Sequence, residues 1–215
     1  MSFSIQPSDH DFSQALLALE KGGIVAYPTE TFYGLAVDPN NDQAIASLYE
    51  LKKREEHKAL SLLVPDLEYL SNLVSLYPSS YKKLIDAFWP GPLTLIFPSS
   101  GNVSTKLSGD RKDIAIRISS NLIAQRFCTS WGHAITATSA NMSGETALVS
   151  AEEVKKLWGD KIACILDGGI TPGGYGSTIV RCNNSKKECQ IIRDGAITCE
   201  EITDILPSDY TVCRA

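Results

Sequence analysis

The sequence predicts an α/β fold, in which helices flank a twisted sheet of mixed parallel and antiparallel strands. Three observations support this prediction. Helical and extended patterns alternate along most of the 215 residues, the last third is rich in strands, and no repeat or low-complexity linker interrupts the chain. Such alternation is typical of α/β folds, and the length suits a single hydrophobic core. We therefore predict one domain over residues 1–215.

Capping residues and breakers delimit the elements of the first half. Ser8 and Asp9 can cap a helix that Gly22 ends. A strand over 24–27 is then expected to stop at Pro28. The apolar patterns that follow predict a helix over 42–53, a strand over 60–64, a helix after 66, a helix over 79–88 and a strand over 93–97.

The second half continues the alternation and then becomes richer in strands. Its patterns predict a strand over 114–118, a helix over 122–130 and a strand over 135–138. Ser150 and Glu153 form a capping box for a helix to about Trp158. The tail predicts strands over 162–166, 178–180 and 190–193, and a helix over 200–206.

Composition disfavours several classes of protein. The net charge of −5 is unlike that of a non-specific nucleic-acid binder, although brief RNA contact through a local basic patch stays open. The six cysteines form no C-x-x-C pair, so we expect reduced thiols and no metal held by protein side chains. The N-terminus has no signal-peptide pattern, and no apolar run approaches the roughly 18 residues of a membrane span. We expect a cytoplasmic protein that does not enter a membrane.

The common nucleotide-binding and hydrolase motifs are missing from the sequence. It contains no G-x-x-x-x-G-K-[ST], no G-x-G-x-x-G between a strand and a helix, and no G-x-S-x-G. The glycine-rich stretch 168–176 leads into a strand rather than a helix. An ordinary kinase, dehydrogenase or esterase is therefore disfavoured.

Cations concentrate where the second predicted helix ends. Lys52, Arg54 and Lys58 could complement the helix dipole on a solvated face, or they could converge on a polyphosphate. Lys52 and Arg54 would lie roughly 200° apart on a continuous helix. They can converge only if the helix ends between them.

Three further segments have more than one interpretation. Isoleucines alternate in the strand 114–118, so Arg117 points to the opposite face, where it binds an anion, forms a structural ion pair or meets solvent. The segments 138–144 and 27–35 carry small hydroxyl and amide groups after a strand. Such groups suit either an ordinary polar turn or the binding of a phosphate or base.

Together these segments resemble the YrdC/TsaC-like family, the L-threonylcarbamoyladenylate synthases. The resemblance runs in order through YPTETFYGL at 27–35, LKKR at 51–54, WPGPLT at 89–94, IAIR at 114–117, TSANMSG at 138–144, GSTIV at 176–180 and IIRDG at 191–195. It implies a YrdC-like fold with a concave, basic cavity. It also implies condensation of L-threonine, bicarbonate and ATP into threonylcarbamoyl-AMP with release of pyrophosphate, for threonylcarbamoyladenosine in tRNA.

The resemblance also assigns roles to residues. Lys52, Arg54, Ser139 and Asn141 match positions that hold ATP, and Arg193 one near the nucleotide. Threonine would be bound by residues at the positions Thr29, Lys58, Arg117 and Ser177. The implied electrostatic catalysts are Lys52, Arg54 and Arg117. Mg²⁺ would be held mainly by the ATP phosphates, and tRNA-modifying transferases would take the product.

Three residues depart from the family pattern. Glu55 and Ser119 stand where the family usually has proline, and Arg181 stands where it commonly has aspartate. Three alternatives to a threonylcarbamoyladenylate synthase also remain: a paralogue with another reaction, a non-enzymatic RNA-binding module, and a carbamoyl-transfer domain of a larger enzyme. The intact S-x-N of 139–141, the net acidity and the lack of clustered cysteines argue against them in turn.

Overall fold

The computed structural model of the protein describes residues 6–74, 79–101, 104–108 and 113–215. Within these ranges the helices are α1 Asp9–Glu20, α2 Asp42–Lys52, α3 Leu67–Leu73, α4 Ser79–Phe88, α5 Thr105–Ser108, α6 Leu122–Trp131, α7 Ala151–Trp158 and α8 Cys199–Ile205. The strands are β1 Val25–Pro28, β2 Tyr33–Ala36, β3 Ser61–Leu63, β4 Leu93–Pro98, β5 Asp113–Arg117, β6 Ile135–Ser139, β7 Cys164–Ile165, β8 Thr178–Asn183, β9 Glu188–Arg193 and β10 Thr211–Arg214.

The strands form one mixed sheet in the order β10-β9-β8-β4-β5-β3-β6-β2-β1-β7. The pairs β1–β7, β3–β5, β4–β8 and β9–β10 are parallel, and the others are antiparallel. The predicted α/β class with a mixed sheet and flanking helices is therefore confirmed.

Apolar side chains fill both faces of the central strands, because successive residues of a strand point to opposite faces. Leu62 belongs to one buried cluster and Leu63 to the other. Helix α6 covers the second cluster with Phe127, which is fully buried. The first, larger cluster includes Leu48 of α2 and Leu84 of α4. Burying a side chain of this size contributes about 1.5–3 kcal/mol.

Three short elements were not predicted from the sequence. The segment 27–35, interpreted as polar residues after a strand, instead forms a hairpin in which β2 pairs antiparallel with β1 through Pro28 and Tyr33. Proline ends β1 rather than standing beyond it. The strand β2 contains Gly34, which weakens a strand pattern, and β10 has no fully buried residue. The helix α5 is a single turn of four residues.

Helix α2 ends between Lys52 and Arg54, as the sequence analysis required for their side chains to converge. Its last residue is Lys52, and Lys53 adopts a left-handed conformation with φ 50°. The chain direction therefore changes between Lys52 and Arg54. The longest helix in the described ranges, α1, has 12 residues, too few to cross a bilayer core about 30 Å thick.

Candidate functional site

Residues from most strands of the sheet line a cavity of about 350 Å³. This volume is within the usual range for small-molecule sites, roughly 300–1,000 Å³. Of the nine residues that the sequence predicted for the site, all in the described ranges, six line the cavity: Thr29, Arg54, Arg117, Ser139, Ser177 and Arg193. Lys52, Lys58 and Asn141 lie outside its lining.

Three of the lining residues are arginines from distant parts of the chain. Arg54 follows α2, Arg117 ends β5 and Arg193 ends β9. Burial lowers the pKa of Arg54 and of Arg193, and for Arg193 the charges of Arg117 and Arg54 lower the pKa further. Guanidinium groups stay protonated even so. Their mutual repulsion would be relieved by an anion bound among them.

Backbone carbonyl groups hold the Arg54 side chain. Its Nε donates to the Lys58 carbonyl at 3.1 Å, and an Nη donates to the Ala59 carbonyl at 2.8 Å. The Lys58 carbonyl also accepts from the hydroxyl of Tyr49 at 2.9 Å. The loop after α2 therefore folds around the guanidinium, which keeps further N–H groups for a ligand.

Lys52 is buried, with 1% of the residue exposed. Its Nζ donates to the backbone carbonyl groups of Ser139 and Asn141, the latter at 2.5 Å. In return the Lys52 carbonyl accepts from the Ser143 amide at 3.1 Å. Burial, and secondarily the charge of Arg54, lowers the pKa of Lys52 to about 8. In this structure the ammonium group holds the turn after β6 rather than facing the cavity.

The turn after β6 is also tied by its own side chains. The Ser139 hydroxyl donates to the Asn141 side-chain oxygen, and the Asn141 amide donates to the Glu145 carbonyl. The indole N–H of Trp158, at the end of α7, donates to the Ala140 carbonyl at 2.5 Å. Ser139 is thereby presented to the cavity, while Asn141 is buried and supports it.

Hydroxyl groups line the part of the cavity near β1 and β8. Thr29 Oγ1 donates to the Phe32 carbonyl at 2.7 Å, which closes the tip of the β1–β2 hairpin. Ser177 Oγ lies 2.8 Å from Thr94 Oγ1 and accepts from an Nη of Arg193 at 3.0 Å. Ser177 and Arg193 therefore act as one connected polar unit.

Arg117 is both a cavity residue and a member of a buried ion pair. Its Nη1 donates to Glu30, and the two side chains are only 8% and 11% exposed. Two of the alternatives for Arg117, a structural ion pair and a site facing an anion, are thus compatible. The third alternative, an exposed sheet face, is excluded by its burial.

Each of the three residues that depart from the family pattern contacts another side chain. The Glu55 carboxylate lies 3.2 Å from Lys58 Nζ, on an exposed loop outside the cavity. The Ser119 hydroxyl donates to Glu30. Arg181 donates to Asp113 at 2.7 Å.

Sequence reasoning assigned no role to Thr94, Asp194 or Glu30, although each lies in a quoted motif. Thr94 and Asp194 line the cavity, and Glu30 pairs with a residue that does. Glu30 and Asp194 directly follow the assigned residues Thr29 and Arg193, which was the available signal for them, whereas Thr94 has no assigned neighbour. Among the described residues, no three His, Cys, Asp or Glu side chains gather as metal ligands.

Comparisons with known proteins show which family the chain resembles. The family Sua5/YciO/YrdC, described as telomere recombination, matches residues 17–195. A threonylcarbamoyl-AMP synthase from Vibrio campbellii is 36% identical over 187 residues, which span 86% of this chain and 99% of the relative. A protein of the same name from Halorhodospira halophila is 36% identical over 156 residues, or 73% of this chain and 82% of the relative.

Solved structures share the fold. The structure of P. abyssi Sua5 complexed with L-threonine has a TM-score of 0.87 at 31% identity, over 94% of this chain and 58% of the Sua5 chain. This chain therefore corresponds to somewhat over half of Sua5. E. coli YciO, with a TM-score of 0.82 at 23% identity, shows the likeness of fold alone. By sequence and by structure, the chain belongs to the Sua5/YciO/YrdC family.

Proposed function

We propose that this protein is an enzyme that condenses L-threonine, bicarbonate and ATP into L-threonylcarbamoyl-AMP and releases pyrophosphate. One observation carries the proposal. Three arginines from distant segments line a single cavity of a chain that is 36% identical, over most of its length, to a threonylcarbamoyl-AMP synthase. The product is the activated precursor of a tRNA modification, so tRNA-modifying transferases would consume it.

Repulsion among the reactants is the main obstacle to this reaction. The threonine amine attacks the carbon of bicarbonate, and water leaves as the carbamate forms. A carbamate oxygen then attacks the α-phosphorus of ATP, the α–β anhydride bond breaks, and pyrophosphate departs. Since the adenylyl group moves to the carbamate, the enzyme is a nucleotidyltransferase. Fixed cations and donors lower the barrier by positioning and by stabilising negative charge.

On the nucleotide side, Arg54 and Arg193 are the groups that can meet phosphates, because both line the cavity. A guanidinium suits phosphate oxygens through its paired N–H groups. Ser139 would orient the nucleotide, with Asn141 and Lys52 acting behind it to hold the turn after β6.

On the amino-acid side, Arg117 would bind the threonine carboxylate or the carbamate. Thr29 and Ser177 offer hydroxyl groups in the same cavity. Lys58 is exposed and paired with Glu55, so its contribution to threonine binding requires the loop after α2 to rearrange.

The cavity suits a magnesium ion that is held mainly by ATP. Asp194 is the carboxylate among the lining residues, and its two oxygens each lie 3.1 Å from Nε of Arg214. One carboxylate, already engaged, is too few for a protein cage, whereas Mg²⁺ is commonly bound through substrate phosphates. When bound, the ion would neutralise charge on the leaving pyrophosphate.

The test is a pyrophosphate-release assay in which threonine and bicarbonate are each omitted in turn. We expect release only with both present. Release that is indifferent to threonine would point to a paralogue with another reaction. Binding of RNA with no ATP turnover at all would reject an enzymatic role.

A further inference from the structure

Glu30 is the one charged residue of the segment 27–35, and the proposed function leaves it without a role. Its side chain is 11% exposed. A carboxylate this deeply buried is stable only when its oxygen atoms are paired. What Glu30 contacts therefore indicates what it does.

Both oxygen atoms of Glu30 are bonded. Oε1 accepts from Nη1 of Arg117, and Oε2 accepts from the hydroxyl of Ser119. Ser119 is itself held at both ends, because its Oγ accepts from the Asn121 amide at 3.2 Å and its carbonyl accepts from the Gln125 side chain at 2.8 Å. The carboxylate is thus fixed in position and in rotation.

The bond to Glu30 uses one of the five N–H groups of the Arg117 guanidinium, so the others can meet an anion. Because arginine has four rotatable side-chain bonds, a guanidinium without this anchor would sample several positions. The Ser119 hydroxyl holds the second oxygen of the same carboxylate, so the anchor of Arg117 is itself anchored.

We propose that Glu30, held by Ser119, is a positioning residue that orients the Arg117 guanidinium toward the carboxylate of threonine. This inference rests on the proposed function. Glu30 touches no substrate; it acts through Arg117. A guanidinium that no longer meets the carboxylate loses a hydrogen bond between charged groups, and such a loss weakens binding roughly 10- to 100-fold. The effect should fall on threonine, because Arg117 meets threonine rather than ATP.

The experiment measures KM for threonine and for ATP by pyrophosphate release in Glu30→Ala, Glu30→Gln and Ser119→Ala. We expect Glu30→Ala to raise the KM for threonine roughly 10- to 100-fold while the KM for ATP changes less than about threefold. Glu30→Gln keeps an oxygen acceptor for Arg117 and should recover most of the loss. Ser119→Ala should raise the KM for threonine by less than Glu30→Ala does, since the bond between Glu30 and Arg117 remains.

A matched control is Ser80→Ala. Ser80 is also a buried serine whose hydroxyl donates to a side chain, Asn184 at 2.8 Å, but it does not line the cavity. Its KM for threonine should stay at the wild-type value.

The outcomes separate positioning from a merely structural role. Loss of folded enzyme lowers kcat and leaves both KM values unchanged, so that pattern in Glu30→Ala would overturn the proposal. Equal rises in both KM values, or glutamine no better than alanine, would also overturn it. If Glu30→Ala does not fold, Ser119→Ala decides alone. If the wild-type enzyme shows no threonine-dependent release of pyrophosphate, the proposed function fails together with this inference. If the wild type shows that release and only the variants behave otherwise than expected, the positioning role of Glu30 alone fails.

Discussion

The substitution Lys52→Met tests whether the Lys52 ammonium is as deeply buried as the structure indicates. Methionine has a similar length but carries no charge. Burial lowers the pKa of Lys52 from 10.5 to about 8. Since one pKa unit corresponds to about 1.4 kcal/mol, folding penalises the charged form by about 3 kcal/mol.

The sign of the pH dependence follows from this lowered pKa. Below about pH 8, Lys52 is charged in both the folded and the unfolded state, so the penalty is fully present. Between about pH 8 and 10.5 the folded state has lost the proton that the unfolded state keeps, and the free energy of unfolding rises with pH. The wild-type value minus the Lys52→Met value should therefore increase by roughly 2–3 kcal/mol between about pH 7 and 10.

Urea denaturation of both proteins at several pH values provides the measurement, and subtraction cancels the other titrating groups. At about pH 7 the two should differ by no more than about 3 kcal/mol, since the lost bonds to Ser139 and Asn141 and the relieved penalty oppose each other. The exposed Lys155, substituted in the same way, controls for the general effect of replacing a lysine by methionine. A difference for Lys52 that does not change with pH would refute the reasoning.

Three further predictions concern the cavity, the core and the metal. Arg54→Ala should raise the KM for ATP at least about 10-fold with little change in the KM for threonine, because a guanidinium that faces phosphate is lost. Steady-state kinetics checks this, and a normal KM for ATP would remove Arg54 from the nucleotide site. Tyr81→Phe should lower the free energy of unfolding by about 1–3 kcal/mol in urea and leave kcat unchanged, because the Tyr81 hydroxyl donates to the Ile96 carbonyl and accepts from the Cys182 amide away from the cavity. Chelation by EDTA should abolish pyrophosphate release without lowering the melting temperature of the ligand-free protein; a clear fall in that temperature would instead indicate an ion held by side chains.

Local signals predicted most of the fold correctly because helix caps and apolar periodicity act within a few residues. Ser8 and Ser150 cap α1 and α7 as expected, by accepting from the amides of Asp11 and Glu153. The predicted capping box of Ser150 is only half formed, because the Glu153 carboxylate accepts from the Val149 amide at 2.8 Å. Convergence of Lys52 and Arg54 required the helix to end between them, and α2 does end there. The strand β2 was missed because it follows hydroxyl-bearing residues and contains Gly34, which weakens a strand pattern, and β10 was missed because none of its residues is fully buried.

The candidate site was predictable in outline and not in detail. Arg117 was expected to point away from the alternating isoleucines, and it does reach the cavity. The choice between an ion pair and an anion site could not be made from the strand alone. Glu30 lies 87 residues away along the chain, and only the tertiary fold brings the turn after β1 to the end of β5, where the guanidinium lies.

By itself the sequence determined the class of fold, most element boundaries, the family and six residues of the cavity lining, because each depends on local pattern or on motifs that stand in order. Only the tertiary structure decided which way the cations face. Lys52 and Arg54 are two residues apart, yet the left-handed residue between them sends one into the protein to bind carbonyl groups and leaves the other at the cavity. That outcome depends on which distant backbone groups need a donor, and such a need exists only once the chain has folded.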